Sequence, residues 1–240
     1  MLLMRILAAD TATTTCSVAL LVEDVVAAEH SLAAGPNHSA WLMPTISRVM
    51  SDTRHRIGDV DALALAIGPG SFTGLRVGLA AMKGIAIAAH KPLVGVDTLD
   101  ALAYGFLFAD QLVCPVLDAR MGEVYAALYR PSGGKINKQG PDMVLSVEEL
   151  FRHVEEPTII FGSGASRHKE EVVRMIGDRA IFPNQGSCGP RASRVAMLAA
   201  ERLKCGQPDD PNTLEPVYLR KSEAERKREC RPQTTGTACM

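Results

Sequence analysis

The chain has 240 residues, a formal net charge of −1, and 47% hydrophobic against 22% charged residues. This is ordinary for a soluble globular protein with one large domain or two lobes, and it excludes a global basic field that would hold nucleic acid unaided. The six cysteines form no C-x-x-C pair and no metal-like spacing, the short apolar start reads on as a strand, and no uncharged apolar run is long enough to span a bilayer. A reduced, cytoplasmic protein with no membrane segment is expected.

Residues 5–9 read as a strand ending at Asp10, residues 16–22 as a second and residues 25–31 as a third, joined by short polar turns. Three such strands make an antiparallel meander. An Asp before the hydroxyl-rich hairpin Thr11-Ala12-Thr13-Thr14-Thr15 either sets a carboxylate near a phosphate or accepts turn hydrogen bonds. Residues 38–52 read as a helix with Leu42, Ile46, Val49 and Met50 on its apolar stripe and Pro44 inside. Trp41, the only Trp, falls beside that stripe, as an interface anchor or a rim residue of the core.

An apolar strand over residues 59–67 leads into Gly68-Pro69-Gly70-Ser71-Phe72-Thr73-Gly74-Leu75-Arg76-Val77-Gly78, around which the chain is organised. The glycines break the strand, Ser71 suits a helix N-cap, and Leu75, Leu79, Met82 and Ile85 follow at helical spacing. Strand, glycine-rich turn and helix suit either an anion site or a plain tight turn. No Lys-Ser/Thr pair follows the glycines and no G-x-G-x-x-G is present, so this is neither a P-loop nor a dinucleotide fingerprint. Gly74 and Gly78, with Ala81 and Gly84 beyond, form a small-residue run on the helix. Four-residue spacing puts the two glycines on one face, either against the protein's own sheet or against a partner helix. Arg76 and Lys83 argue against a membrane span.

Residues 93–96 read as a fifth strand, giving βββαβαβ, which resembles a ribonuclease-H-like lobe. Residues 98–108 read as a helix, 112–117 as a strand ending at Asp118, and 123–129 as the next strand, echoing the first Asp-ended hairpin. Residues 131–141 read as a polar loop, 147–154 as a short helix, and 158–161 as a strand before Gly162-Ser163-Gly164-Ala165 and a helix to about 176. Residues 191–203 read as a helix, 206–212 as a linker and 214–219 as an extended segment. The expected division is a first lobe over 1–98 completed by 212–222, a second over 99–211, and a disordered tail over 223–240. In that tail Arg226-Lys227-Arg228 either touches RNA phosphates or is simply solvated.

Two Asp-ended hairpins and a Gly-Ser-Gly-Ala turn resemble the two-lobed actin, hexokinase and Hsp70 superfamily, an α/β fold of mixed sheets flanked by helices. Ala9-Asp10-Thr11-Ala12-Thr13, Asn37-His38-Ser39, the block from Gly68 to Gly78, Asp118-Ala119-Arg120 with Gly122-Glu123-Val124-Tyr125, and Pro216-Val217-Tyr218-Leu219-Arg220 resemble the TsaB (YeaZ) family. The resemblance implies a partner subunit in bacterial synthesis of threonylcarbamoyladenosine next to the tRNA anticodon. It would pair with a larger paralogue, TsaD, which carries the metal, nucleotide and transfer chemistry, and with the ATPase subunit TsaE. The resemblance also implies a helical contact built from residues 38–52 and 71–89, with His38, Trp41, Thr45, Gly74, Arg76, Gly78 and Ala81 as the candidate interface. On that reading Gly78→Leu weakens the complex and leaves the monomer folded, and the same face supports a homodimer when the partner is absent.

The resemblance implies a catalytic paralogue with two histidines four apart, whereas here Leu42 stands four residues after His38, and a single imidazole is a poor metal site. His30, His55, His90, His153 and His168 are scattered. No catalytic residue, metal or cofactor is therefore expected on the chain itself, with ATP and metal on the partner subunits. Asp10, Thr11, Gly70, Ser71, Asp118 and Gly164 remain as a degenerate nucleotide cleft. Two alternatives stand beside the partner reading: a stand-alone kinase or ATPase of the same superfamily, and a glycoprotease-like peptidase using Ser71 and His38, although no G-x-S-x-G elbow is present.

Overall fold

The structure is a computed structural model that describes residues 4–220 apart from 153, 185 and 187. The expected disordered tail, its Arg226-Lys227-Arg228 cluster and His153 lie outside the described residues. The first sheet is built from β1 (Arg5–Asp10), β2 (Thr15–Val22), β3 (Val25–Ala33), β4 (Ala62–Gly68) and β5 (Leu93–Asp97) in the order β3-β2-β1-β4-β5. The first three strands pair antiparallel, and β4 and β5 add in parallel through helical crossovers, as the βββαβαβ reading requires. Side chains alternate between the two faces of a strand. Leu7 and Ala9 of β1 therefore meet Leu42, Ile46 and Val49 of α1 (His38–Asp52) and Leu79 and Met82 of α2 (Phe72–Ala89). Ile6 and Ala8 point the other way, into a second cluster. Burial on both faces explains why β1 and β4 read as nearly continuous apolar runs.

That second cluster is closed by α7 (Ala192–Lys204), whose Val195, Ala196 and Ala199 lie on Ala19, Ala64 and Ala66. Small residues on both sides let helix and sheet approach closely. The N-terminus of α7 is held by distant groups: Ala192 N–H donates to Ser17 Oγ (2.9 Å), and Ser193 donates from both N–H and Oγ to Glu29 (2.9 Å each). These bonds satisfy amides that a helix start otherwise leaves open. The division expected from the sequence assigns this helix to the second lobe, whereas its packing puts it on the first. The 206–212 stretch is likewise no free linker. Asp209 N–H donates to Leu93 O (2.8 Å), Gly95 N–H donates to Asp209 Oδ2 (2.8 Å), and Arg202 pairs with Asp209 (2.9 Å). The open edge of β5 is thereby covered.

The second sheet runs β10-β7-β6-β11-β12, from β6 (Leu112–Arg120), β7 (Glu123–Ala126), β10 (Met143–Ser146), β11 (Thr158–Phe161) and β12 (Ala180–Ile181). Its antiparallel half and parallel half repeat the plan of the first sheet. Helices α4 (Val147–Phe151), α5 (Ser163–Arg167) and α6 (Lys169–Ile176) cover one face, and α3 (Thr98–Ala103) inserts Leu99 and Leu102 against the other. The expected helix over 98–108 is shorter: a 3-10 turn over Tyr104–Phe106 follows α3, and Phe106 stacks on Phe161 with ring centroids 4.6 Å apart. The expected loop over 131–141 holds a hairpin, β8 (Tyr129–Ser132) and β9 (Lys135–Lys138), turned by Gly133 and Gly134 at φ 59° and 72°. The helix expected up to 176 is broken at His168.

Among the described residues α2 alone is long and apolar enough to cross a membrane. It lies instead against the first sheet. Its two interruptions are used: Arg76 Nε donates to the Tyr218 hydroxyl (3.0 Å), and Lys83 Nζ donates to the carbonyls of Asn212 and Leu214.

Candidate functional site

β1 delivers Asp10 to a position only 1% exposed. Its Oδ1 accepts the Ala12 N–H (2.9 Å), while Oδ2 is buried without a hydrogen-bond partner. Burial disfavours the charged carboxylate and Glu29 adds repulsion, so the pKa is pushed up to about 6 in spite of the Ala12 N–H. In the unfolded chain this group titrates near 4. Folding therefore takes up a proton between those values, and stability falls as pH rises through about 4 to 6. Asp10→Asn removes that cost and is expected to raise Tm by a few degrees at pH 8, with the gain shrinking towards pH 5. Thermal denaturation at both pH values checks it, and an equal shift at each would contradict the assignment.

The glycine-rich segment clasps the β1–β2 hairpin. Ser71 N–H donates to Ala12 O (2.7 Å), and Thr11 Oγ1 donates to Gly74 O (2.8 Å). A Cβ at Gly70 would collide with Ala12 O, one at Gly74 with Thr11 O, and one at Gly78 with Thr11 Oγ1. The glycines are thus where hairpin backbone meets helix, after a turn that contains a cis Gly68–Pro69 peptide. Ser71 Oγ accepts the Gly74 N–H (3.3 Å) as an N-cap. His38 is 2% exposed, with Nε2 2.8 Å from Thr13 O and Nδ1 unpartnered. A carbonyl only accepts, so Nε2 carries the proton. Both ends of that imidazole lie away from Ser71 in bonding, and no nucleophile–base pair of the peptidase kind forms.

On the facing lobe, Asp118 Oδ1 accepts the Arg120 N–H (2.8 Å) and Oδ2 pairs with Arg167 (2.6 Å). A guanidinium therefore sits where a cation would need that carboxylate. Gly164 is buried against Val116 and Leu117. Between the lobes lies a cleft of about 630 Å³ whose walls include Thr13, Gly70, Ser71, Asp118, Arg120 and Arg220. Gly70, Ser71 and Asp118 face it, whereas Asp10, Thr11 and Gly164 stand behind its walls. Among the described residues no group of three His, Cys, Asp or Glu side chains is placed to hold a metal.

The seven candidate interface residues divide. Trp41 (48% exposed) and Arg76 are on the surface and Ala81 is half-buried. His38, Thr45, Gly74 and Gly78 are interior, and Thr45 Oγ1 donates to Trp41 O (2.7 Å). Gly74 and Gly78 thus pack on the protein's own hairpin, which takes the first of the two readings for these glycines and removes them from the candidate interface, while Gly84 further along the run is exposed. The outward faces of α1 and α2 carry Met43 (51% exposed) and Ile87 (50%) instead. Beside them Met43, Ile46, Met50, Ile57 and Ile85 line a shallow apolar groove of about 430 Å³. Met43 and Ile87 fall off the apolar stripe by helical spacing, and that was the available signal for them.

The TsaD family, tRNA N6-adenosine threonylcarbamoyltransferase, matches residues 32–228. The chain is 34% identical over 227 residues to the tRNA threonylcarbamoyladenosine biosynthesis protein TsaB of Bacillus subtilis, covering 93% of this chain and 97% of that protein. It is 32% identical over 234 residues to TsaB of Escherichia coli, covering 93% and 98%. The solved structure of YeaZ from Pseudomonas aeruginosa superimposes with a TM-score of 0.77 at 29% identity, over 90% of this chain and 100% of that one. A 2-hydroxyisocaproyl-CoA dehydratase activator from Clostridium difficile, with a TM-score of 0.51 at 9% identity and coverage of 90% and 100%, shares the fold alone. Fold, glycine block and sequence identity along nearly the whole chain agree: this protein belongs to the TsaB family of tRNA threonylcarbamoyladenosine biosynthesis proteins.

Proposed function

We propose that the chain is a non-catalytic partner subunit that binds and activates a TsaD-like paralogue for threonylcarbamoyl transfer to the adenosine next to the tRNA anticodon. The observation that carries this reading is the outward α1–α2 face, where Trp41, Met43 and Ile87 stand exposed beside an apolar groove. Apolar side chains gathered on two neighbouring helices favour a protein partner. The interior His38, bonded to Thr13 and with core Leu42 rather than a second histidine four residues on, supports a non-catalytic role. ATP and metal then reside on the TsaD-like and TsaE-like partners, tRNA is reached through the complex, and the work is cytoplasmic. Without the paralogue, the same face would pair two copies of this chain.

A reconstituted assay tests this. TsaD, TsaE, tRNA, ATP and threonylcarbamoyl-adenylate are supplied, with the chain added or omitted. Modified tRNA is expected only when the chain is added, and equal product without it would overturn the reading. The hydroxyl-lined cleft with Arg120 and Arg220 favours a second reading, a stand-alone nucleotide-binding enzyme. The Arg167–Asp118 pair and the walled-off Asp10 weigh against it. Calorimetry with ATP and Mg²⁺ on the isolated chain separates the two, since the partner reading expects no heat at millimolar nucleotide.

A further inference from the structure

Residues 214–220 belong to no helix or strand, yet they bond to both lobes. On the first lobe, Val217 N–H donates to Ile67 O (2.8 Å) and Lys83 Nζ donates to Leu214 O (3.0 Å). Arg76 donates to the Tyr218 hydroxyl, and the Tyr218 ring lies 4.9 Å from that of Phe72, over which the Arg76 guanidinium sits at 3.8 Å. Two residues further, Arg220 reaches the second lobe. Its Nη1 donates to Ala119 O (2.7 Å) and pairs with Glu123 (2.9 Å), and its Nη2 lies 2.9 Å from Met121 Sδ.

The turn that receives Arg220 is unusual. Arg120, Met121 and Gly122 have φ of 64°, 55° and 80° in succession. L side chains avoid this region, and such a turn persists only where its surroundings hold it. Here the holder is the Arg220 guanidinium, whose Nη1 donates to the Ala119 and Arg120 carbonyls while Nη2 donates to Met121 Sδ. Position matters as much as bonding. Tyr218 and Arg220 line the cleft, while among the described residues none of the chain crossings between lobes, 104–111 and 182–191, does so. Away from the cleft, Lys138 of β9 lies 3.5 Å from the carboxylate of Asp97, the last residue of β5, and pairs with Asp100 of α3 (2.9 Å). The lobes are therefore tied both at their connection and across their opening.

We propose that residues 216–220 are a latch that holds the two lobes at one separation with no ligand in the cleft, with Arg220 as its catch. A two-lobed chain with an open cleft can swing about its connection. This one is strapped across the mouth by its own polypeptide, and so meets a partner as a single rigid body. The inference does not depend on which partner that is.

The test uses the full chain with Cys205, Cys230 and Cys239 replaced by Ser and spin labels at the exposed positions 39 and 169, one on each lobe. The parent is expected to give one narrow inter-label distance. Arg220→Ala is expected to broaden it and to speed amide exchange over residues 119–123 by about tenfold or more, while the amides of β1 and β4 stay protected. An unchanged distance with a still-protected turn would overturn the proposal. Faster exchange everywhere would also overturn it, since that is general destabilisation. Should Arg220→Ala not fold, Arg220→Lys keeps the charge without the fork and is expected to give an intermediate broadening. Behaviour identical to the parent sinks the proposal.

Discussion

Gly78→Leu is expected to prevent the chain from folding rather than to weaken a complex. Gly78 faces Thr11, and even a methyl group there would overlap Thr11 Oγ1. Thr11 has nowhere to go. Its hydroxyl donates to Gly74 O, its carbonyl lies against Gly74, and the next carbonyl, Ala12 O, accepts the Ser71 N–H. Leucine would have to part α2 from the β1–β2 hairpin and open the core beneath it, at a cost of about 4 kcal/mol or more. That is comparable with the whole stability of many domains, about 5–15 kcal/mol. Gly84 supplies the control. Nothing lies within 4 Å of a Cβ built there, so Gly84→Ala gains helix propensity alone, about 0.5–1 kcal/mol. Soluble yield and urea midpoints of the two variants decide the matter. A folded Gly78→Leu with a parental midpoint would show that the small-residue face looks outward after all.

Trp41→Asp and Ile87→Asp are expected to do what Gly78→Leu cannot, namely break partner binding in a folded chain. Both side chains are about half exposed, and the Trp41 carbonyl that receives Thr45 Oγ1 is untouched by a side-chain change. Stability should move by no more than about 0.5 kcal/mol. A buried aromatic anchor replaced by a charge typically costs about 2 kcal/mol or more of binding, roughly thirtyfold in Kd. Titration calorimetry against the TsaD-like paralogue reads the loss directly, and the reconstituted assay should lose product in step. Parental affinity in both variants would move the contact away from α1 and α2.

The first sheet was legible because its signals are local: apolar β1 and β4, an Asp-ended strand, a glycine break and a capping Ser71. What stayed hidden depends on contacts remote in sequence. Spacing put Gly74 and Gly78 on one face without saying which way that face looks, and the deciding neighbour, Thr11, is 63 residues before Gly74. The apolar stripe of α7 fits any sheet; it belongs to the first because Ser17 and Glu29 hold its N-terminus. The β8–β9 hairpin carried a readable Gly133-Gly134 turn, but Arg130, Lys135 and Asn137 masked its strands as loop. In the cleft, residue types were visible and their availability was not: Asp118 reads as part of a nucleotide cleft until Arg167 is seen paired with it.

The return of α7 to the first sheet has a consequence for how the protein is made. A ribosome delivers β1 to β5 early, yet one face of that sheet stays only partly covered until Ala192, Val195, Ala196 and Ala199 have been synthesised. The second lobe, continuous from β6 to β12, has all its parts sooner. The half translated first is thus the half completed last, and during that interval its alanine-lined face is the surface that a nascent-chain chaperone would meet.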